Sequence, residues 1–234
     1  MQKVSSPRLI VALDTADPAK LDLLLAQLDP QLCRVKVGKE LFTALGPSVI
    51  DAVHAQGFEL FLDLKYHDIP NTVAAACRVA ADAGVWMLNV HALGGKAMLA
   101  AARESIQQSM HSPLLIGVTL LTSMGESELI ELGITLSPTE LVQHLARLSH
   151  QAGLDGVVCS AQEARLIKNE LGTDFVLVTP GIRLPSDASH DQQRIVSPQQ
   201  AMENGADFLV VGRPITQADS PADKLREFAR LLSS

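Results

Sequence analysis

Eight short apolar runs alternating with longer helical stretches predict an α/β protein folded as a single (β/α)8 barrel, the TIM-barrel architecture. Three observations carry this expectation. The runs number eight. Each is nearly continuously apolar, as a parallel strand covered on both faces must be. The 234-residue chain holds no polar linker long enough to divide it, so residues 1–234 read as one domain. At this length roughly 70% of the chain's surface can be buried on folding, enough for a full core.

The expected strands, in order, are Arg8–Asp14, Leu32–Gly38, Phe58–Lys65, Met87–Ala92, Leu114–Leu121, Gly156–Ala161, Phe175–Ile182 and Phe208–Arg213. Between them, Thr72–Ala83 is Ala-rich and closes with Gly84, a residue type that ends helices in the left-handed conformation. Thr139–Ala152 sets Leu141, Leu145 and Leu148 on one face and ends at Gly153, with Thr139 and Glu140 suited to a helix start. Pro221–Leu232 reads as a last amphipathic helix. Met124–Pro138 and Leu184–Pro198 are the longest irregular stretches. Both follow strand C-termini, where barrel active sites sit, and the second is polar enough for a lid over a ligand. An open doubly wound sheet is the alternative fold. Its glycine fingerprint is missing after the first strand, where Leu13-Asp14-Thr15-Ala16-Asp17 occupies the turn.

Nineteen Lys and Arg against 26 Asp and Glu give a net charge of −7. This balance excludes a general nucleic-acid binder, which needs a basic face, but not an anionic small molecule held by a few cations in one cleft. Three separated cysteines, Cys33, Cys77 and Cys159, form no CxxC pair and suit a reducing, cytoplasmic setting. Residues 1–8 lack the apolar run of a signal peptide, and no apolar run reaches the ~18 residues of a membrane span.

Polar residues at strand C-terminal ends are the candidates for chemistry: Asp14, Lys36, Asp63, Lys65, Asn89, His91, Thr122, Ser123, Ser160, Arg183 and Arg213. Asp63 and Lys65 are two apart and so share a side of their strand. Lys36 alternates with Val35 and Val37 on the neighbouring strand. Inward-facing charges cost stability unless they pair, so several together at an active face point to function. A structural salt bridge is the plainer reading of Asp63 and Lys65 alone. Gly212-Arg213 after the eighth strand stands where barrels commonly bind phosphate, with Pro180-Gly181 after the seventh completing a cradle. Alone, a Gly-Arg pair is equally a turn with a surface arginine. His91 is the single strand-end histidine. A barrel metal site needs more ligands than that, so metal binding is not expected.

These residues resemble a known family. Asp63-x-Lys65-x-x-Asp68 followed by Ile69-Pro70-Asn71-Thr72 is similar to the signature of the orotidine 5′-phosphate decarboxylases. The likeness extends to Val11–Asp14, Val35–Gly38, Asn89–Ala92, Leu121-Thr122-Ser123, Thr179–Arg183, Asp191-Gln192 and Val211–Ile215. The related 3-keto-L-gulonate-6-phosphate decarboxylases and hexulose-phosphate synthases share the DxKxxD core. The Asp-Ile-Pro-Asn-Thr, Leu-Thr-Ser and Pro-Gly-Ile-Arg segments point to the orotidylate branch.

The resemblance implies a homodimer that decarboxylates orotidine 5′-monophosphate to UMP and CO2, with no metal and no organic cofactor. It implies a charge network of Lys36, Asp63 and Lys65 from one subunit, with Asp68, Ile69 and Thr72 reaching the partner's site. Lys65 would protonate C6 of the pyrimidine. Asp14, Lys36 and Thr72 would hold ribose hydroxyls, and Thr122 and Ser123 the pyrimidine edge. Pro180, Gln192, Gly212 and Arg213 would bind phosphate, with Arg183 at the base of the lid. Two other readings stay open: a metal-dependent sugar-phosphate lyase of the same suprafamily, and a non-catalytic phosphate-binding barrel.

Overall fold

The computed structural model describes residues 7–184 and 196–232. Eight strands pair in parallel in chain order, and the last closes on the first through Leu9↔Leu209, Ile10↔Val210 and Val11↔Val211. They are β1 (Leu9–Ala12), β2 (Arg34–Gly38), β3 (Leu60–Tyr66), β4 (Met87–His91), β5 (Leu114–Val118), β6 (Gly156–Val158), β7 (Val176–Thr179) and β8 (Phe208–Val211). The closed barrel is the expected fold, and the doubly wound alternative falls with it. The strands are shorter than the apolar runs because the ends of the runs, such as Leu120 and Leu121, leave the ladder and line the upper mouth.

The helices are α1 (Pro18–Leu25), α2 (Lys39–Leu45), α3 (Ser48–Ala55), α4 (Pro70–Asp82), α5 (Gly95–Gln107), α6 (Glu126–Glu131), α7 (Pro138–Gln151), α8 (Ala161–Leu171), α9 (Pro198–Glu203), α10 (Arg213–Thr216) and α11 (Pro221–Leu232). Gly84 and Gly153, at φ 77° and 79°, stand just past α4 and α7 as expected. Three boundaries correct the sequence reading. Helix α7 starts from Ser137, not Thr139. The Ser137 hydroxyl accepts from the Glu140 backbone N–H, and the Glu140 carboxylate accepts in return from the Ser137 N–H at 2.9 Å. Pro70 opens α4 two residues before Thr72, where its missing N–H costs no helical bond. The stretch Met124–Pro138 is not wholly irregular, since α6 forms within it.

Alternation along the strands divides the side chains into two cores. Val11, Val35, Val37, Leu60, Leu62 and Leu88 point outward against the helices. Ile10, Phe61, Met87, Ile116 and Val178 fill the barrel interior and are at most 2% exposed. Burying side chains of this size stabilises by about 1.5–3 kcal/mol each. Below them Arg34, buried at the start of β2, stacks on Trp86 at 4.0 Å and Phe208 at 5.3 Å. It pairs with Glu59 at 2.7 Å and donates to the Pro7 carbonyl. This layer closes the lower end of the barrel, so the site can open only above.

Candidate active site

At the upper end the strands converge on a cavity of roughly 260 Å³. Its floor is apolar: Ala12, Phe61, Val118, Val158, Val178 and Val210. Four cations, Lys36, Lys65, Arg183 and Arg213, and two carboxylates, Asp14 and Asp63, line its walls and rim. A chain of net charge −7 thus places more cations than carboxylates around this cavity, which favours an anionic ligand.

Lys36 and Asp63 enter by simple alternation. Their neighbours Val35, Val37 and Leu62 belong to the outer core, so the charged side chains face inward. Asp63 is 8% exposed and sits between two ammonium groups: its Oδ2 lies 3.1 Å from Lys36 Nζ, and its Oδ1 lies 2.6 Å from Lys65 Nζ. Lys36 also approaches Asp14 Oδ1 at 3.6 Å. Burial would raise the Asp63 pKa, but Lys36, Lys65 and the Asn89 amide outweigh it and hold the carboxyl below its ordinary range. Burial likewise works against charge on Lys36, yet Asp63 and Asp14 keep it protonated, with its pKa raised. The pairs stay ionised because each charge has its partner within reach.

Lys65 reaches the cavity by a different route from the expected alternation. Between the pairs Leu62↔Leu88 and Tyr66↔Val90, β3 advances four residues while β4 advances two. Within this bulge Lys65 takes φ 51°, the one left-handed non-glycine backbone among the described residues. That conformation costs on the order of 1–3 kcal/mol and persists only where its surroundings enforce it. The buried Asn89 of β4 does so. Its Oδ1 accepts from the Lys65 backbone N–H at 2.8 Å, and its Nδ2 donates to Asp63 Oδ1 at 2.6 Å.

The rim carries the other expected residues. Thr122, Pro180, Gly181, Arg183, Gly212 and Arg213 all line the cavity. Gly181, at φ 80°, makes the turn after β7, and Gly212 precedes the short helix α10. The backbone of Ile182 bridges Val196, with the Arg183 N–H donating to the Val196 carbonyl at 3.1 Å. Both ends of the expected lid are therefore fastened beside the cavity. Gln192 lies outside the described residues, as does most of that stretch.

Four expected residues are not in this cavity. Ser123 is exposed and is not among the residues that line the cavity, whereas its neighbour Thr122 is. Asp68, Ile69 and Thr72 lie past the end of β3. The Asp68 carboxylate accepts from the Ile69 N–H at 2.6 Å, and Ile69 is 66% exposed. Asp68 and Ile69 line a separate shallow depression with His67, Pro70, Leu93 and Gly94. The His91 ring packs against His67 at a 42° tilt, 5.4 Å between ring centroids. Burial first, then the charges of His67, Lys39 and Lys65, lower its pKa to about 4, so it is neutral near pH 7. Among the described residues no group of three or more His, Cys, Asp or Glu is disposed to hold a metal ion. Leu120, Leu121 and the Asn89 clamp were not given roles by sequence. The signal for Asn89 was present: a polar residue at an inward position between the outward Leu88 and Val90.

Residues 7–228 match the family described as Orotidine 5'-phosphate decarboxylase / HUMPS family. The chain belongs to that family. Among its relatives, the orotidine 5'-phosphate decarboxylase of Nitrosospira multiformis is 60% identical over 94% of this chain and 91% of its own. That of Hahella chejuensis is 54% identical over 99% of both chains. The crystal structure of orotidine 5'-phosphate decarboxylase from Lactobacillus acidophilus superposes with a TM-score of 0.87 at 37% identity, covering 98% of this chain and 100% of that one. A second crystal structure, of an uncharacterized conserved protein from Geobacillus kaustophilus, gives a TM-score of 0.83 at 38% identity, covering 95% and 99%. Membership in this decarboxylase family agrees with a cavity built to receive an anion beside a Lys/Asp network.

Proposed function

We propose that this chain decarboxylates orotidine 5′-monophosphate to UMP and CO2, the closing step of UMP synthesis. The observation that carries the reading is the placement of Lys65 Nζ and Asp63 in one cavity that Gly212 and Arg213 also line. The substrate bears a carboxylate at one end and a phosphate at the other. A cavity with four cations and two carboxylates suits both ends.

In this reading Arg213, with Pro180, Gly181 and Gly212 around it, receives the phosphate. Thr122 faces the pyrimidine edge, and Asp14 and Lys36 hold ribose hydroxyls. The substrate carboxylate faces Asp63. The C6–carboxylate bond breaks and leaves its electron pair on C6. The Lys65 ammonium stabilises that charge and then delivers its proton to C6, regaining one from solvent. Repulsion between Asp63 and the substrate carboxylate is relieved as CO2 departs. Lys36 keeps Asp63 ionised and in place. Phosphate contacts remote from C6 contribute binding energy that helps the ring reach its transition state.

Asp68, Ile69 and Thr72 do not line their own cavity, and the exposed Ile69 and Leu93 near Asp68 suit a second copy of the chain. In the proposed homodimer Asp68 and Thr72 complete the partner's site. Lys65→Ala and Asp68→Ala proteins, each inactive alone, should then recover roughly a quarter of native activity after mixing and subunit exchange, because half the dimers regain one intact site. No recovery, with exchange demonstrated, would remove the shared site. The three cysteines are buried and unpaired, which supports a reducing cytoplasmic setting. No helix of the described residues is long and apolar enough to cross a membrane.

The deciding experiment follows the loss of the orotate absorbance when chelator-treated protein meets orotidine 5′-monophosphate. Rapid loss with UMP and CO2 formed is expected. Activity only with added Mg²⁺ on a keto-sugar phosphate would transfer the chain to the sister lyases. Inertness in both, with phosphate compounds still raising the melting temperature, would leave a binding barrel.

A further inference from the structure

We propose that Asn89 is the positioning residue that sets the Lys65 ammonium and the Asp63 carboxylate in their reactive arrangement. The inference rests on Lys65 being the proton donor of the reading above. Asn89 is fully buried and does not line the cavity, so it acts through its neighbours and not on substrate. Its two amide ends are spoken for by the same pair. Oδ1 accepts the Lys65 backbone N–H at 2.8 Å, and Nδ2 donates to Asp63 Oδ1 at 2.6 Å. The Lys65 ammonium meets that same Oδ1 at 2.6 Å. Backbone, amide, carboxylate and ammonium thereby close a ring, and the amide orientation is fixed because one partner is a donor and the other an acceptor.

Two consequences follow from the ring. The first concerns the backbone. Lys65 holds φ 51° inside a bulge of β3, and a lysine in this region relaxes unless something binds it there. The Asn89 carbonyl is that restraint, reaching across from the adjacent strand. The second concerns the carboxylate. Because Asn89 and Lys65 share Oδ1, Oδ2 is left to Lys36 at 3.1 Å. The amide therefore assigns one oxygen of Asp63 to each lysine. Groups facing Asp63 are Lys36 from β2, Lys65 from β3, and Asn89 and His91 from β4, with Asp14 beyond Lys36.

Asn89→Ala removes both arms. Asn89→Asp keeps an oxygen for the Lys65 N–H but loses the N–H donor to Asp63. Its new carboxyl, buried beside Asp63, has a raised pKa, and its protonated form restores a donor. The expected result for Asn89→Ala is a fall in kcat of roughly 10²-fold, with KM within about threefold, read at a temperature where the variant stays folded despite its two lost buried hydrogen bonds. The expected result for Asn89→Asp is a kcat that recovers as pH is lowered from 8 towards 6, where the native enzyme changes little. A purely packing role would give a loss without that pH-dependent rescue. An Asn89→Ala enzyme retaining kcat within about threefold of native, or losing only KM, would overturn the proposal. Should the native protein prove inert on orotidine 5′-monophosphate, the earlier reading fails instead. The clamp is then decided by a crystal structure of Asn89→Ala: Lys65 leaving the left-handed region supports it, and Lys65 unmoved with its Asp63 contact intact overturns it.

Discussion

Asp63 and Lys65 meet at 2.6 Å from a strand position and a bulge position, not from two positions of a regular strand. The contact therefore depends on a backbone that few residues adopt. Lys65→Ala removes the ammonium and keeps the strained backbone. Turnover of orotidine 5′-monophosphate should fall by at least about 10³-fold, while circular dichroism stays native. Near-normal turnover would remove the proton-donor role. Lys65→Gly should be just as inactive yet about 1 kcal/mol more stable than Lys65→Ala, since glycine takes φ 51° without steric cost. Urea unfolding of the two variants gives the comparison.

Arg213→Ala should raise KM for the nucleotide and lower kcat/KM by roughly 10²-fold or more, because a charged partner of a phosphate is lost. The phosphate-free nucleoside separates causes. Its slow turnover should be almost unaffected by the substitution, and an equal loss on both substrates would place the phosphate elsewhere.

Gly212→Ala probes the rim by filling it. A Cβ there meets Ala12 Cβ and Asp14 Oδ2 at 3.5 Å, ordinary contact with residues that line the cavity. Its φ of −107° lies outside the left-handed region that favours glycine. Stability should change by less than about 1 kcal/mol, while KM rises roughly tenfold from the narrowed cradle. Thermal melts and steady-state kinetics on one preparation test both halves. A large drop in melting temperature with KM unchanged would mean that the glycine serves folding.

The Lys36–Asp63 pair sets a pH window. Asp63 has a folded pKa below its ordinary value, so its stabilisation is present above about pH 4 and is lost as pH falls through the folded pKa. Lys36 has a raised folded pKa, so its contribution is complete below about pH 10 and is lost as pH rises through the folded value. Between these limits the pair should add no slope to stability. In Lys36→Met the Asp63 carboxyl keeps its burial and loses one cation, so the acid limb of urea-unfolding stability should move to higher pH. An unmoved acid limb would show that Lys65 and Asn89 suffice.

Arg34→Ala should destabilise the fold by roughly 2–4 kcal/mol, since a buried guanidinium stacked on two rings and paired with Glu59 is replaced by space. Arg34→Lys should recover only part of this, because an ammonium lacks the planar face. Activity at 20 °C should stay native in both, as Arg34 lies at the opposite end of the barrel from the cavity.

The barrel and much of the site were legible because burial on both strand faces forces apolar runs, and an inward charge among them stands out. Lys36 and Asp63 follow directly from period-two alternation. Lys65 was assigned correctly to the cavity for an incomplete reason, since nothing in the run Leu60–Tyr66 announces a left-handed lysine. A bulge arises from the pairing of two distant segments and so has no local signature. Asn89 was visible as an inward polar residue, but its role depends on where the Lys65 N–H points. The cap at Ser137 was overlooked because Thr139 offers the same chemistry two residues later. Ser123 was placed with Thr122 by the Leu-Thr-Ser resemblance, and a loop beyond a strand end does not keep alternation.

The stack of Arg34, Trp86 and Phe208 under the interior layer has a kinetic corollary. It leaves the barrel with a single doorway, so substrate, CO2 and nucleotide product share one route. The nucleotide that has reacted still bars the entrance to the next. Product inhibition competitive with substrate is thus inherent in the plumbing, and the turnover ceiling belongs to whichever traveller clears the threshold last.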